Sequence, residues 1–579
     1  MQAIAAGQYK KAQYAITKGV EFVQIDLESI SEFQEPGLET NMERIRRLGI
    51  RYGLHAETPA FGGRELPHLD SAIGLDYERG HRRLLIVLED AGKLKYEYVL
   101  MHSSESTPFL LLGRELQPMD LVDIWGRPLE AFIKEVGGED LEKNWIMEWV
   151  WDQPYIWLDL LHDTPDGAIK RAQESSIFNL RQLARRERRR ELAIKKQIPE
   201  EQVEFTPEDE EIIDKREKYM WEDESKGFYE KEKKELLGYF LRLIKSKSLG
   251  YGPERTAYYI TAKWMEKTDD PLWEDIIEAS IEYYAKVDGK SKDEWLDDRK
   301  IKKVNGKWSI DDTKFREEYR LWVASVSAKY IWGHFNPDKC PDKSWDKYED
   351  PKEIIDDYGN KMPFLFETPM ASTGLEEYLR FPNPIQMYYL VKEIGFDYTG
   401  LAVDIEHMLM CNLNVEVSFD LLPSDAGKYV RVVHVGWPTA LGPAHIPLPL
   451  GSEQQMYLYR MYYKLREKGF GKNDKDYYII FERGGGADPI QQSILAIRKI
   501  VEFLEKDINP GDLISHPDFF GVQVGQIASY QRQREIIEEH GRDPLKGLII
   551  TPEEKHTFLG KGAIEKGKRP EEWEKEEFK

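Results

Sequence analysis

Leu401-Ala-Val-Asp-Ile-Glu-His407 is a short apolar segment that closes on an acid, with a histidine three residues beyond it. Related patterns recur downstream: Tyr429 to Val435 carries His434 near its end, and Tyr477 to Glu482 closes on a glutamate. Runs of β-branched and aromatic residues of this length read as buried strands. In a parallel α/β barrel the C-terminal ends of all strands meet on one face, so acids and imidazoles distant in sequence converge there. Polar ligands at such strand ends therefore point to a metal site.

Working outward, the same alternation of strand and helix holds on both sides. Toward the N-terminus the chain reads as a helix over 8–19, a strand Glu21–Leu27, a helix Thr40–Leu48 stopped by Gly49, and a strand Ile50–His55. A helix Leu75–Leu94 and a strand Tyr96–His102 follow. His55 and His102 thus stand at equivalent strand ends. The later part gives strands Met362–Glu367, Phe396–Asp404, Val430–His434 and Asp476–Glu482, with helices near Leu375–Leu379 and over Pro489–Leu504. That order implies parallel strands with right-handed crossovers. Seven strands are legible, and the eighth needed to close a barrel is expected near the N-terminus, where Met1–Ala6 is a poor candidate.

Between about Tyr155 and Asp356 the alternation stops and charged segments of helical period take over: Gly167–Lys196, Pro207–Lys247, Glu254–Val287 and Asp311–Trp332. A loop of that length needs its own core, so it is expected to pack as a subdomain. The expected fold is an α/β (β/α)8 TIM barrel with a large helical insertion between strands 4 and 5 and a C-terminal arm. The expected divisions are 1–155 for the first part of the barrel, 156–355 for the insertion, 356–510 for the second part and 511–579 for the extension. The insertion would lie on or near the catalytic face, where it could act as a lid.

The insertion holds the most basic stretch of the chain, Arg181 to Lys196, including Arg185, Arg186, Arg188, Arg189 and Arg190. Two readings compete. Clustered arginines on a helix can track a nucleic-acid backbone, or the stretch is a solvated face balanced by the acidic run Glu208 to Asp214. Gly484-Gly-Gly486 after Glu482 is equally divided, between a backbone cradle for a phosphate and a turn leading to an N-cap at Asp488.

Composition bounds the function. The 579 residues carry a net charge of −23, which argues against a protein that coats nucleic acid or anionic membranes nonspecifically. Only Cys340 and Cys411 are present, so neither a disulfide framework nor a cysteine-rich zinc module is expected, and the compartment expected is the cytoplasm. No run approaches the roughly 20 apolar residues of a membrane helix, and the start Met1-Gln-Ala-Ile-Ala-Ala-Gly7 is too short and uncharged for a signal peptide. Abundant Lys and Glu with few Cys is also a thermophile-like composition.

The ordered set His55, His102, Glu367, Asp404-x-x-His407, His434, His445 and Glu482 resembles the xylose-isomerase-like TIM-barrel superfamily, and most of all its endonuclease IV (type 2 apurinic endonuclease) branch. The resemblance covers roughly 8–155 and 356–508. It implies one metal on His55, His102 and a bridging Glu367, and a second on Glu367, Asp404, His434 and Glu482. A third would use His407 and His445, but the family's Asp two residues before that last histidine is replaced here by Pro443, which has no ligating side chain. Each residue also has a structural reading: His407 could cap a helix, and Glu482 could pair with Arg483.

Mixed imidazole and carboxylate donors suit zinc first, with manganese or magnesium as alternatives, and two ions are favoured over one or three. A bridged pair lowers the pKa of bound water and neutralises charge on a phosphoryl oxygen. The function expected from the resemblance is a phosphodiester hydrolase acting on abasic or damaged nucleic acid. The alternative is a sugar or sugar-phosphate isomerase or epimerase, in which one metal is held by Glu367, Asp404, His434 and Glu482 and the two glutamates move protons. A third class is a non-catalytic assembly protein. Expected partners are a phosphodiester or phosphosugar substrate and no membrane, with self-association through the insertion or the arm.

Overall fold

Seven strands run parallel and pair in sequence order: β1 (Phe22–Asp26), β2 (Arg51–His55), β3 (Val99–His102), β4 (Phe364–Glu367), β5 (Thr399–Asp404), β6 (Val430–Val435) and β7 (Tyr478–Phe481). The structure is a computed structural model and describes residues 20–27, 30–56, 69–103, 121–129, 132, 135, 164–245, 251–310, 315, 318–358, 362–369, 379–438, 446–472, 476–482 and 489–522. The sheet curls into a nearly closed barrel, with the Phe22 ring of β1 stacked on Tyr478 of β7 at 4.0 Å. The expected N-terminal strand and the helix over 8–19 lie outside the described residues.

Period-2 alternation sorts each strand into an inward and an outward row. Inward-facing Tyr98, Leu100, Leu365, Ala402, Val432 and Tyr478, joined by Phe22 and Ile480, fill the barrel. Gly53 is required here, because a Cβ on it would lie 2.2 Å from the Tyr98 ring. The outward row is covered by helices. Phe364 and Phe366 of β4, for example, pack against Phe335, with ring centroids 5.5 and 5.9 Å away.

Register decides which polar ends meet. Asp26 pairs with His55, His102 with Glu367, and Asp404 with His434. The last pairing depends on an irregularity: consecutive Leu401 and Ala402 oppose Val430 and Val432, so Arg431 is an extra residue in β6. A one-residue slip flips a strand's faces. The bulge therefore puts His434 on the same inward row as Asp404, and a flush ladder would have turned it into the helical layer.

The helices follow their stop signals. Next to β1 and β2 lie α1 (Leu38–Arg47) and α2 (Gly74–Leu94). Between β3 and β4 come α3 (Pro165–Lys196), α4 (Pro207–Glu224), α5 (Phe228–Lys245), α6 (Tyr251–Thr268), α7 (Pro271–Val287), α8 (Lys292–Arg299), α9 (Tyr319–His334) and α10 (Pro351–Asp357). Two segments expected as continuous helices are broken. Gly227, at φ 75°, separates α4 from α5, and Asp269 at φ 53° separates α6 from α7. There Pro271 supplies no N–H, and the Asp270 carboxylate caps the Leu272 amide at 3.1 Å. Of the fourth, Asp311–Trp332, α9 (Tyr319–His334) covers the described part, and residues 311–314, 316 and 317 lie outside the described set.

This helical stretch has two parts. α3, α4 and α5 pack on one another, whereas α7 packs on α9 and on the barrel's own helices α11 (Pro384–Ile394) and α13 (Val415–Leu421). Of the remaining helices, α12 (Ile405–Met410) follows β5, α14 (Glu453–Glu467) follows β6, and α15 (Pro489–Glu505) comes last. A second compact unit comprises, among the described residues, Leu448–Tyr463 and Gln491–Val522. Its described core joins Tyr459, Phe503 and Phe519, the Phe519 ring lying 5.1 Å from Tyr459 and 5.0 Å from Phe503. The tail beyond residue 522 lies outside the described residues.

α2 and α9 share a buried histidine pair. His81 Nδ1 lies 3.0 Å from His334 Nδ1, and His81 Nε2 lies 2.9 Å from the Glu349 carbonyl. Donation by His81 Nε2–H to that carbonyl leaves its Nδ1 to accept from His334. Burial pushes His81 down to about 4, and burial aided by His81 pushes His334 well below its ordinary value.

Two predictions follow from this packing. Both histidines stay neutral in the folded chain but take protons when unfolded below about pH 6.5. Their contribution is therefore complete above pH 6.5 and lost as pH falls from there toward about 4. Denaturant titrations should show the stability of His81→Phe falling less steeply over that window than that of the native chain; equal slopes would refute the buried neutral pair. Gly53→Ala should cost about 1–3 kcal/mol by overpacking, and Tyr98→Leu in the same chain should recover part of that loss. Additive effects of the two changes would exclude the contact as the cause.

Candidate metal centre

The inward row of every strand from β2 to β6 ends in an acid or an imidazole, and Glu482 follows directly on β7. Three of these side chains, on Glu367, Asp404 and His434, are fully buried, while Glu482 retains 16% of its side-chain exposure. Two sets of donor atoms come together. His55, His102 and Glu367 form one, and Glu367, Asp404, His434 and Glu482 the other, with the donors of each set within 4.8 Å of one another. Glu367 belongs to both.

Distances show how tightly the set is drawn around Glu367. Its Oε2 lies 3.0 Å from His55 Nε2 and 3.5 Å from His102 Nε2, and its Oε1 lies 2.6 Å from His434 Nδ1. His434 Nδ1 is also 3.1 Å from Glu482 Oε1 and 3.6 Å from Asp404 Oδ2. Glu367 Oε2 and Asp404 Oδ2 are buried yet accept no properly formed hydrogen bond. A buried carboxylate oxygen left so is costly, and a cation is one way to satisfy it.

The electrostatics are those of acids and imidazoles confined together. Burial alone would raise Glu367, but the charge and hydrogen bond of His434, with the His55 and His102 imidazoles close by, hold it well below the usual carboxylate range. Asp404 is likewise lowered against burial, by His407 and His434. Burial opposes charge on His434 too, and Glu482 and Glu367 override it, so His434 titrates well above an ordinary histidine. Glu482 goes the other way. Burial raises it, and Glu367 and Asp404 add to the rise against the pull of His434. Carboxylates in one site with opposite shifts mark a place built for charge.

His407 stands near both sets but belongs to neither. Its backbone N–H donates to Asp404 Oδ1 at 3.1 Å, Nδ1 donates to the Thr368 carbonyl at 3.0 Å, and Nε2 lies 3.6 Å from Asp404 Oδ2. The cap of α12 is therefore Asp404 at the end of β5, with His407 in the first turn it caps. Its expected companion His445, with Pro443, lies outside the described residues, as do Gly484, Gly485 and Gly486.

Three supporting residues escaped the sequence reading. Gln24 on β1 places Oε1 3.0 Å from His434 Nε2, and Tyr98 donates to the same oxygen at 2.9 Å. The alternation Phe22, Gln24, Asp26 was the available signal. Thr368 accepts the Asp404 amide at 2.9 Å through Oγ1, which fixes the end of β5.

The basic strip is engaged within its own helical group. Arg181 pairs with Asp214 at 2.8 Å and Glu217 at 3.2 Å, Arg185 pairs with Glu210, Arg188 with Asp209 at 2.7 Å, and Arg190 with Glu200 at 3.5 Å. Arg185 and Arg189 also lie over the Phe205 ring, while Arg186 is exposed on α3. The pairing with the acidic run of α4 is the balanced-face arrangement. Among the described residues no helix is long and apolar enough to cross a membrane. A scan against protein-family models, a search of curated proteins and a search of solved structures each find no match to this chain.

Proposed function

We propose that the chain is a divalent-metal-dependent hydrolase of phosphodiester bonds on an endonuclease IV-like barrel. The observation that carries this reading is that two donor sets share one fully buried carboxylate, Glu367. On this reading an eighth strand precedes β1, and the helical stretch before β4 is an insertion.

The residues fit a metal pair. His55, His102 and Glu367 would hold one ion, and Glu367, Asp404, His434 and Glu482 the other. The unsatisfied oxygens of Glu367 and Asp404 are the positions a cation would answer, and the mixed nitrogen and oxygen donors suit zinc or manganese. When bound, such a pair supplies Lewis-acid charge beside the scissile bond, where negative charge develops on a phosphoryl oxygen. The chain's own residues do the rest. Glu367 fixes both sets to one strand end, the His407 amide holds Asp404 in place, and the filled barrel beneath excludes water. Glu482 is the most exposed of the three acids.

The isomerase or epimerase reading is supported by two observations. The second donor set is complete without His55 and His102, and the arginines that would bind a nucleic-acid backbone are largely paired with α4. Metal stoichiometry with turnover separates the two. Two ions per chain and cleavage of an abasic-site duplex in zinc or manganese support the hydrolase; one ion and turnover of a ketose support the isomerase. Absence of both cleavage and salt-sensitive duplex binding would remove the nucleic-acid reading.

The shared ligand gives a sharper test. Glu367→Ala should lose both ions together and lower activity by orders of magnitude, His55→Ala should lose only one ion, and His407→Ala should keep both. Elemental analysis with melting curves decides it, since the apolar barrel core should keep all three variants folded. Full metal content in Glu367→Ala would rule out a bridging role.

A further inference from the structure

We propose that Gln24 is a positioning residue that fixes the tautomer and ring orientation of His434, and that Tyr98 is the clamp that holds Gln24; the proposal rests on the metal-centre reading above. His434 is fully buried and uses both ring nitrogens. Nδ1 points at Glu367 and Glu482, at 2.6 and 3.1 Å. Nε2 points the other way, at the Gln24 amide oxygen 3.0 Å off. A nitrogen facing a carbonyl oxygen must carry its hydrogen, so Nδ1, which donates to Glu367 when no ion is present, is the nitrogen that would give up its hydrogen to bind one.

The amide must itself be held, because a flipped Gln24 would offer N–H to Nε2 and leave the hydrogen on Nδ1, facing the carboxylates. Tyr98 opposes this, because its hydroxyl donates to the same Oε1 at 2.9 Å and a flip would have to replace that bond by donation from the amide to the hydroxyl. Tyr98 has little freedom to move. It is buried with its ring beside the stacked Phe22 and Tyr478, at centroid distances of 5.9 and 5.6 Å, in the space that Gly53 leaves open. Gln24 itself is half-buried on the inward row of β1, and its amide oxygen is used by both contacts. Partners of this kind, one step behind a metal ligand, typically change metal affinity by about 10–100-fold when removed.

The test compares the full-length native chain with Gln24→Leu, Gln24→Glu and Tyr98→Phe. Manganese and zinc binding are measured calorimetrically, and the imidazole N–H protons are followed by NMR on histidine-labelled protein. In Gln24→Leu one ion should bind about 10–100-fold more weakly while the ion on His55 and His102 is unchanged. Gln24→Glu retains an acceptor and should restore binding, and Tyr98→Phe should fall between. A slowly exchanging His434 Nε2–H resonance should be present in the native chain and in Gln24→Glu and lost in Gln24→Leu. Native affinity for both ions in Gln24→Leu, or a native chain without that resonance, would overturn the proposal. If the native chain binds neither ion, the metal reading falls by itself, and the resonance still decides whether Gln24 holds His434. Should Gln24→Leu fail to fold, Tyr98→Phe read against Gln24→Glu makes the same comparison.

Discussion

A single carboxylate, Glu367, is the point around which the barrel's polar end is built. It is fully buried, and imidazoles from three other strands lie within 3.5 Å of its oxygens. A lone buried carboxylate would be expensive. The arrangement is tolerable because cationic or hydrogen-bonding groups converge from β2, β3 and β6, and that convergence requires parallel strands in register. The fold thus supplies neighbours that no local stretch of sequence could provide.

Register in turn depends on small backbone features. Gly53 admits Tyr98 to the barrel filling, and the extra residue Arg431 turns His434 inward to meet Asp404. Neither residue is a candidate ligand. Both decide whether the ligands face one another, which is why the site cannot be understood from its acids and imidazoles alone.

The strands were legible because each combined an apolar run with a polar residue at its end, as Leu401 to Asp404 shows. The donor sets were legible for the same reason, through a resemblance resting on residue order. Other features were hidden because their signal is not periodic. The bulge at Arg431 leaves no mark in a run of Val and His. The breaks at Gly227 and Pro271 were visible as residue types but were outweighed by helical spacing on both sides. Gln24 required following the alternation of a strand whose only evident polar end was Asp26, and the His81–His334 pair joins helices separated by more than two hundred residues. The arginine strip could be read in either of two ways until α4 was seen beside it.

The filled interior has a kinetic consequence. Among the described residues Tyr98, Tyr478 and Phe22 fill the barrel below the ligands, so an ion held there, on the reading proposed above, would exchange toward the C-terminal ends of the strands. Whatever occupies the floor must leave by the path it entered, and a molecule seated above it blocks that path. Exchange at Glu367 should therefore be ordered, last in and first out, with an occupant of the mouth slowing the departure of anything held beneath it.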